Sequence, residues 1–194
     1  MKFYDHLLRI LAIKIFKSKE RFLIYSYRDV IIITAPLVMT QTFNRYGRRI
    51  KYDRMNMSMY KAYLLVRSEE ERLLSAYNKK VIGVKTDWKK KLLLLANDLS
   101  AEMDFTQFLQ KLIQNRKEGR FIDRHFVPLK ASYTELGIDF ATISIQELLA
   151  LYPELSDIKI KSSEVVVGKL RKRNLNLSEK QLINEYLGLW SVNR

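Results

Sequence analysis

The sequence predicts an α+β protein, because strand-like and helical apolar patterns occupy separate stretches of its 194 residues. Hydrophobic residues make up 47% and charged residues 29% of the chain, so it has enough apolar surface to fold. We expect an N-terminal helix plus a small antiparallel sheet, a helical middle, and a C-terminal module of helix, turn, helix and hairpin. The predicted domains are residues 1–130 and 131–194.

The N-terminal part predicts one helix followed by a sheet. Residues 4–21 have the spacing of a basic amphipathic helix, with Leu7, Leu8, Leu11 and Ile15 at three- and four-residue intervals. Runs rich in β-branched and aromatic residues then predict strands. These runs are residues 22–27, 30–33, 37–43 and 48–52, with a turn at residues 44–47 before the last of them.

The middle of the chain returns to helical spacing over residues 56–78, and residues 79–85 fit a short strand. Asp87 and Asp104 each stand before an apolar-periodic segment, which predicts two N-capped helices. Gly119 is expected to end the second of these helices, because glycine readily adopts the left-handed conformation found there.

The C-terminal module occupies residues 143–192. Ser144 is a candidate N-cap for a helix that Pro153 stops, and Ser162 or Ser163 is a candidate N-cap for a second helix. The module resembles the winged helix-turn-helix superfamily over residues 144–149, 162–173 and, as a wing strand, 186–192. This resemblance implies that the second helix enters the major groove of DNA and that the wing contacts the backbone.

Net charge is the strongest functional signal, since 35 Lys and Arg against 21 Asp and Glu give +14. Residues 1–60 contain 12 basic and 4 acidic side chains, residues 61–130 contain 15 and 9, and residues 131–194 contain 8 and 8. A polyanion is the natural partner of such a chain. Nucleic acid, with DNA ahead of RNA, is therefore the expected partner, and a second copy of the chain or another protein partner stays open.

Two basic segments are the candidate nucleic-acid contacts. In the C-terminal module the candidates surround the second helix, and near the N-terminus they are interleaved with Tyr46 and Tyr52. The candidates are Lys161, Lys169, Arg171, Lys172 and Arg173 in the first group, and Arg45, Arg48, Arg49, Lys51 and Arg54 in the second. For the C-terminal group, an ordinary helical hairpin with solvated charges is the alternative.

Several classes of protein lack support in the sequence. There is no cysteine, so disulfides and thiolate metal sites are absent and the cytoplasm is the expected location. No stretch reaches the ~20 apolar residues that span a bilayer, and no glycine-rich phosphate loop, cofactor motif or metal-ligand spacing occurs. The cysteine-free composition suits a thermophile or one of its viruses or plasmids.

The sequence thus favours a non-catalytic protein that binds duplex DNA through phosphate contacts, as an accessory factor in replication, transcription or packaging. One alternative is an interaction protein whose basic face docks an acidic partner or an anionic membrane surface. Another is an enzyme with an unrecognised site, for which Asp98, Glu102 and Asp104 are candidate carboxylates.

Overall fold

The computed structural model describes residues 2–17, 23–34, 43, 46–50, 60–82, 87–129, 131, 140–156 and 174–191. Within these residues the chain forms helices and a five-stranded sheet, which confirms the predicted α+β class. The chain divides into two compact units, each built from separate segments. Unit 1 contains the described parts of Met1–Lys19, Leu73–Pro128 and Lys169–Arg194, and unit 2 contains those of Glu20–Arg72 and Leu129–Gly168. The boundary predicted from the sequence lies at residue 130.

The sheet of unit 2 has the strand order β3-β1-β2-β4-β5. Its strands are β1 (Leu23–Tyr27), β2 (Val30–Thr34), β3 (Arg48–Ile50), β4 (Lys61–Val66) and β5 (Ala141–Ser144). β1 pairs antiparallel with β2 and β3, as predicted, whereas β2 with β4 and β4 with β5 are parallel pairs. The expected antiparallel sheet is therefore part of a mixed sheet. The strand predicted at residues 37–43 lies outside the described residues, except for Phe43.

The prediction of a helix across residues 56–78 is wrong for β4. Residues 62–65 are all buried, because β4 has a paired strand on each side and its side chains are covered on both faces of the sheet. A strand of this kind is a continuous apolar run without the alternation that distinguishes strand from helix. Helix α2 (Glu69–Lys80) begins only after it. The strand predicted at residues 79–85 is wrong at Lys79 and Lys80, which end α2.

Helix α5 (Ile145–Leu151) follows β5 directly in unit 2. The Ser144 hydroxyl accepts a hydrogen bond from the Glu147 backbone N–H at 3.2 Å, and the Glu147 carboxylate accepts one from the Ser144 backbone N–H at 2.7 Å. This reciprocal arrangement satisfies two donors that a helix start leaves without partners. The predicted N-cap is thus confirmed, and the helix ends before Pro153, where a short 3₁₀ turn (Pro153–Ser156) begins.

The described part of unit 1 is helical. It contains α1 (Lys2–Lys17), the end of α2, α3 (Trp88–Ala96), α4 (Phe105–Lys117) and α6 (Leu177–Ser191). Helix α1 packs against α3, and α4 packs against α6. Four fully buried aromatic side chains form the centre of the core, namely Phe105, Phe108, Phe126 and Tyr186. In this core the Phe108 ring packs edge-on against the Phe126 ring, and the Tyr186 hydroxyl of α6 donates a hydrogen bond to the Phe126 carbonyl at 3.0 Å.

The caps predicted for α3 and α4 are confirmed. The Asp87 carboxylate accepts hydrogen bonds from the backbone N–H groups of Lys89 and Lys90. The Asp104 carboxylate accepts one from the Gln107 N–H, and the Gln107 side chain accepts one from the Asp104 N–H. Gly119 has a φ of 63° just beyond the end of α4, as its predicted role requires.

The wing strand predicted at residues 186–192 is wrong, because residues 186–191 belong to α6. Asn176 and Glu179 exchange side-chain to backbone hydrogen bonds of 2.8 and 3.1 Å, which fixes the start of this helix. Glu179, Ile183 and Tyr186 then recur at helical spacing on its buried side. The second helix of the predicted module, residues 162–173, lies outside the described residues.

Candidate nucleic-acid interface

One end of the sheet in unit 2 brings together segments that are distant in sequence. β1 and β2 form a hairpin whose turn is Arg28 and Asp29, and the register pairs Tyr27 with Val30 and Ser26 with Arg48. Parallel pairing of β2 with β4 then sets Val30 beside Lys61. The hairpin turn and the starts of β3 and β4 therefore lie along the same end of the sheet.

Exposed cations and tyrosines occupy this end, which we call the sheet-end rim. The rim consists of Arg28, Tyr46, Arg48, Tyr60 and Lys61. Tyr46 and Tyr60 are 38% and 48% exposed, and the side chain of Arg28 is 60% exposed. From β3 to β4 the rim crosses three strand spacings, or about 14 Å. The rim thus gathers three cations and two exposed tyrosines at one end of the sheet, with Arg48 and Lys61 on opposite faces of the sheet by strand register.

Arg28 is held by contacts with two rings and a carboxylate. Its guanidinium carbon lies 5.6 Å from the centroid of the Tyr27 ring and 5.9 Å from that of Tyr152. Its Nη2 lies 2.7 Å from an oxygen of Glu154, which also accepts a hydrogen bond from the Tyr27 hydroxyl at 2.5 Å. The backbone of Arg28 has a φ of 51°, a conformation that non-glycine residues rarely adopt.

The electrostatics of the rim maintain its charges. The hydrogen bond to Tyr63 and the attraction between these two side chains raise the pKa of Lys61, so it stays protonated at neutral pH. The hydrogen bond from Tyr27 lowers the pKa of Glu154, and burial together with that bond raises the pKa of the Tyr27 hydroxyl. Two carboxylates, Asp29 and Glu154, lie at the same end of the sheet as the three cations of the rim.

Of the basic residues predicted near the N-terminus, the structure describes Arg48 and Arg49, and these two lie on opposite faces of strand β3. Arg48 lies opposite Ser26 and Arg49 lies opposite Tyr25. Because successive side chains of a strand point to opposite faces, these two exposed arginines cannot form one basic face. The other predicted contacts lie outside the described residues, namely Arg45, Lys51, Arg54, Lys161, Lys169, Arg171, Lys172 and Arg173.

Sequence reasoning missed Arg28, Tyr60 and Lys61 as members of one site. Arg28 and Lys61 are far apart in the chain, and the parallel pairing that joins them leaves no local pattern. A signal for Arg28 did exist: the dipeptide Arg28-Asp29 separates two β-rich runs, as the two-residue loop of a hairpin does. That signal places Arg28 at a sheet end but gives no neighbours for it.

Comparisons with known proteins add nothing to this geometry. No family model, curated protein or solved structure matches the chain. Over the described residues, no group of three His, Cys, Asp or Glu side chains is arranged to hold a metal ion. None of the described helices is long and apolar enough to cross a membrane.

The carboxylates proposed for an unrecognised enzyme have local contacts in unit 1. Asp98 lies 2.7 Å from Lys111 Nζ and 2.8 Å from an Arg120 nitrogen, and the hydrogen bond from Lys111 lowers its pKa. Asp104 caps α4, and Glu102 is exposed. These contacts are those of ion pairs and of a helix start.

A second polar group in unit 1 is buried. The backbone N–H of Asp123 donates to the Asn97 side-chain oxygen at 2.7 Å, and the Asp123 carboxylate contacts His125. Burial lowers the pKa of His125, so its ring is neutral at neutral pH. Burial would raise the pKa of Asp123, but its hydrogen bonds with His125 bring that pKa below its usual value. The Asp123–His125 contact lies within the turn that begins at Asp123, and the hydrogen bond to Asn97 links this turn to the end of α3.

Proposed function

We propose that the protein binds nucleic acid, with duplex DNA as the preferred partner, through phosphate contacts made by the sheet-end rim of unit 2. The observation that supports this most directly is the convergence of Arg28, Arg48 and Lys61 beside two exposed tyrosines at one end of the sheet. Cations spaced along a surface neutralise successive phosphates, and exposed rings add contacts with sugars or bases. The net charge of +14 supplies the long-range attraction.

The proposal has parts that extend beyond the rim. The helix predicted at residues 162–173, with Lys169 and Lys172, is proposed as a further contact. Changing both lysines to alanine should weaken binding while leaving stability nearly unchanged. The proposed role is non-catalytic, that of an accessory factor in replication, transcription or packaging. A cytoplasmic location belongs to the same proposal, because the chain has no cysteine.

The experiment measures the affinity of labelled duplex DNA by fluorescence anisotropy at a series of salt concentrations. The double variant Arg48→Gln with Lys61→Gln removes two exposed cations from the rim. If each contacts a phosphate, the slope of log affinity against log salt should decrease by about 1.8, or 0.9 per contact. Single-stranded DNA and duplex RNA of matched length are measured alongside, to decide which nucleic acid is preferred.

The matched control replaces two exposed lysines of unit 1, Lys117→Gln with Lys180→Gln. It removes the same total charge, and the surface ion pair of Lys117 with Glu185 contributes little to stability. Equal losses in both double variants would mean that net charge, and not the rim, attracts the DNA. Absence of binding by the wild type even at ~50 mM salt, where phosphate contacts are strongest, would refute the proposed function.

A further inference from the structure

Helix α1 leaves apolar side chains exposed on one side. Leu7, Ile10, Leu11 and Ile15 are 56%, 41%, 54% and 41% exposed. At 100° per residue they fall within an arc of about 140°, and the exposed Lys14 lies inside that arc. We call these five residues the α1 face. They belong to unit 1, whereas the residues of the rim belong to unit 2.

The opposite side of α1 is the side that packs. Ala12 is fully buried, Leu8 and Phe16 are half-buried, and α1 packs against α3. Arg9 on this side lies 4.0 Å from Asp98, just beyond the end of α3. Leu7 and Leu11, which the predicted apolar stripe groups with Leu8, therefore lie outside this contact. Contiguous exposed apolar residues of this kind are typical of an interaction site.

The residue types of the α1 face, and those at the start of α3, are the types found in helices that contact lipid. Lys14 lies among the apolar side chains, where its long stem can rest on a bilayer while its ammonium group reaches the headgroups. On α3, Trp88 is 63% exposed, and Lys89 Nζ lies 5.9 Å from its ring centroid, with Lys90 and Lys91 following. Leucine, isoleucine and tryptophan combined with lysine are the residues of helices that lie in the membrane interface.

We propose that the α1 face binds the surface of an anionic lipid bilayer. Its charge complements such a surface, since Lys14 and the lysines after Trp88 belong to a chain of net charge +14. A second copy of the chain fits less well, because it brings the same charge of +14 and a second Lys14 to the contact. A DNA backbone offers no apolar surface to Leu7 and Leu11. This inference goes beyond the proposed function and uses different residues.

The test is co-sedimentation of the full chain with vesicles of phosphatidylcholine alone or mixed with phosphatidylglycerol. We expect the wild type to bind the mixed vesicles. The variant Leu7→Gln with Leu11→Gln should lose at least about tenfold in partitioning, because each change removes an apolar side chain that the bilayer would bury. The control is Leu151→Gln with Leu177→Gln, which alters two leucines that are 56% and 74% exposed elsewhere. This control should bind as the wild type does.

Three results would overturn the inference. The wild type could fail to bind mixed vesicles, the Leu7 and Leu11 variant could bind as well as the wild type, or light scattering could show a wild-type dimer that this variant converts to a monomer. Unchanged circular dichroism and tryptophan fluorescence verify that the variant is folded. Duplex DNA binding separates the two proposals. The Leu7 and Leu11 variant should bind duplex DNA as the wild type does. The rim variant should lose DNA affinity, while its binding to vesicles should still depend on Leu7 and Leu11.

Discussion

Replacement of Asn97 by alanine should destabilise unit 1 strongly. Asn97 is fully buried, its side-chain N–H donates to the Leu93 carbonyl at 2.7 Å, and its side-chain oxygen accepts from the Asp123 N–H at 2.7 Å. Alanine removes both bonds and leaves a buried N–H of Asp123 without its partner. The unsatisfied Asp123 N–H costs about 1–3 kcal/mol and the lost side-chain bond to Leu93 about 0.5–1.5 kcal/mol, so we expect a loss of about 1.5–4.5 kcal/mol in the free energy of unfolding.

Urea denaturation followed by tryptophan fluorescence measures this effect, because both tryptophans, Trp88 and Trp190, lie in unit 1. The control is Asn184→Ala, an exposed position on α6 that should change the free energy of unfolding by no more than about 0.5 kcal/mol. A loss below that same limit for Asn97→Ala would refute the reasoning, since it would mean that water or another group replaces both hydrogen bonds at no cost.

Two further stability predictions use the same assay. Gly119→Ala should cost about 1–2 kcal/mol in the free energy of unfolding, because Gly119 has a φ of 63°, whereas Gly188→Ala should stabilise α6 by about 0.5–1 kcal/mol. Neither added Cβ meets an atom within 4 Å, so the difference reflects backbone conformation alone. Effects of the same sign in the two variants would contradict this reasoning. The hydrogen bond from Lys111 lowers the pKa of Asp98 in the folded state, so its stabilising effect is present above the unfolded pKa and is lost as the pH falls through the folded pKa. Asp98→Asn should therefore flatten the acid side of the stability profile, and an unchanged profile would count against this ion pair.

Local features of the fold could be predicted from the sequence because their partners lie within a few residues. Asp104 with Gln107 and Ser144 with Glu147 form capping boxes over three residues, and Gly119 ends a helix by its own conformational freedom. The β1–β2 hairpin and the α+β class follow in the same way from neighbouring patterns. Net charge is likewise a property of composition alone, and it is the basis on which a polyanionic partner is predicted.

Only the tertiary structure decided how these elements are combined. β4 is a strand because β2 and β5 pair with it on both sides, and its apolar run alone does not distinguish strand from helix. Residues 186–191 are helical because Tyr186 packs in the core of unit 1 and donates its hydroxyl to the Phe126 carbonyl at 3.0 Å. The sheet-end rim and the α1 face depend on burial and on pairing between distant segments. Such contacts are selected by the free energy of the whole fold, so no local pattern specifies them.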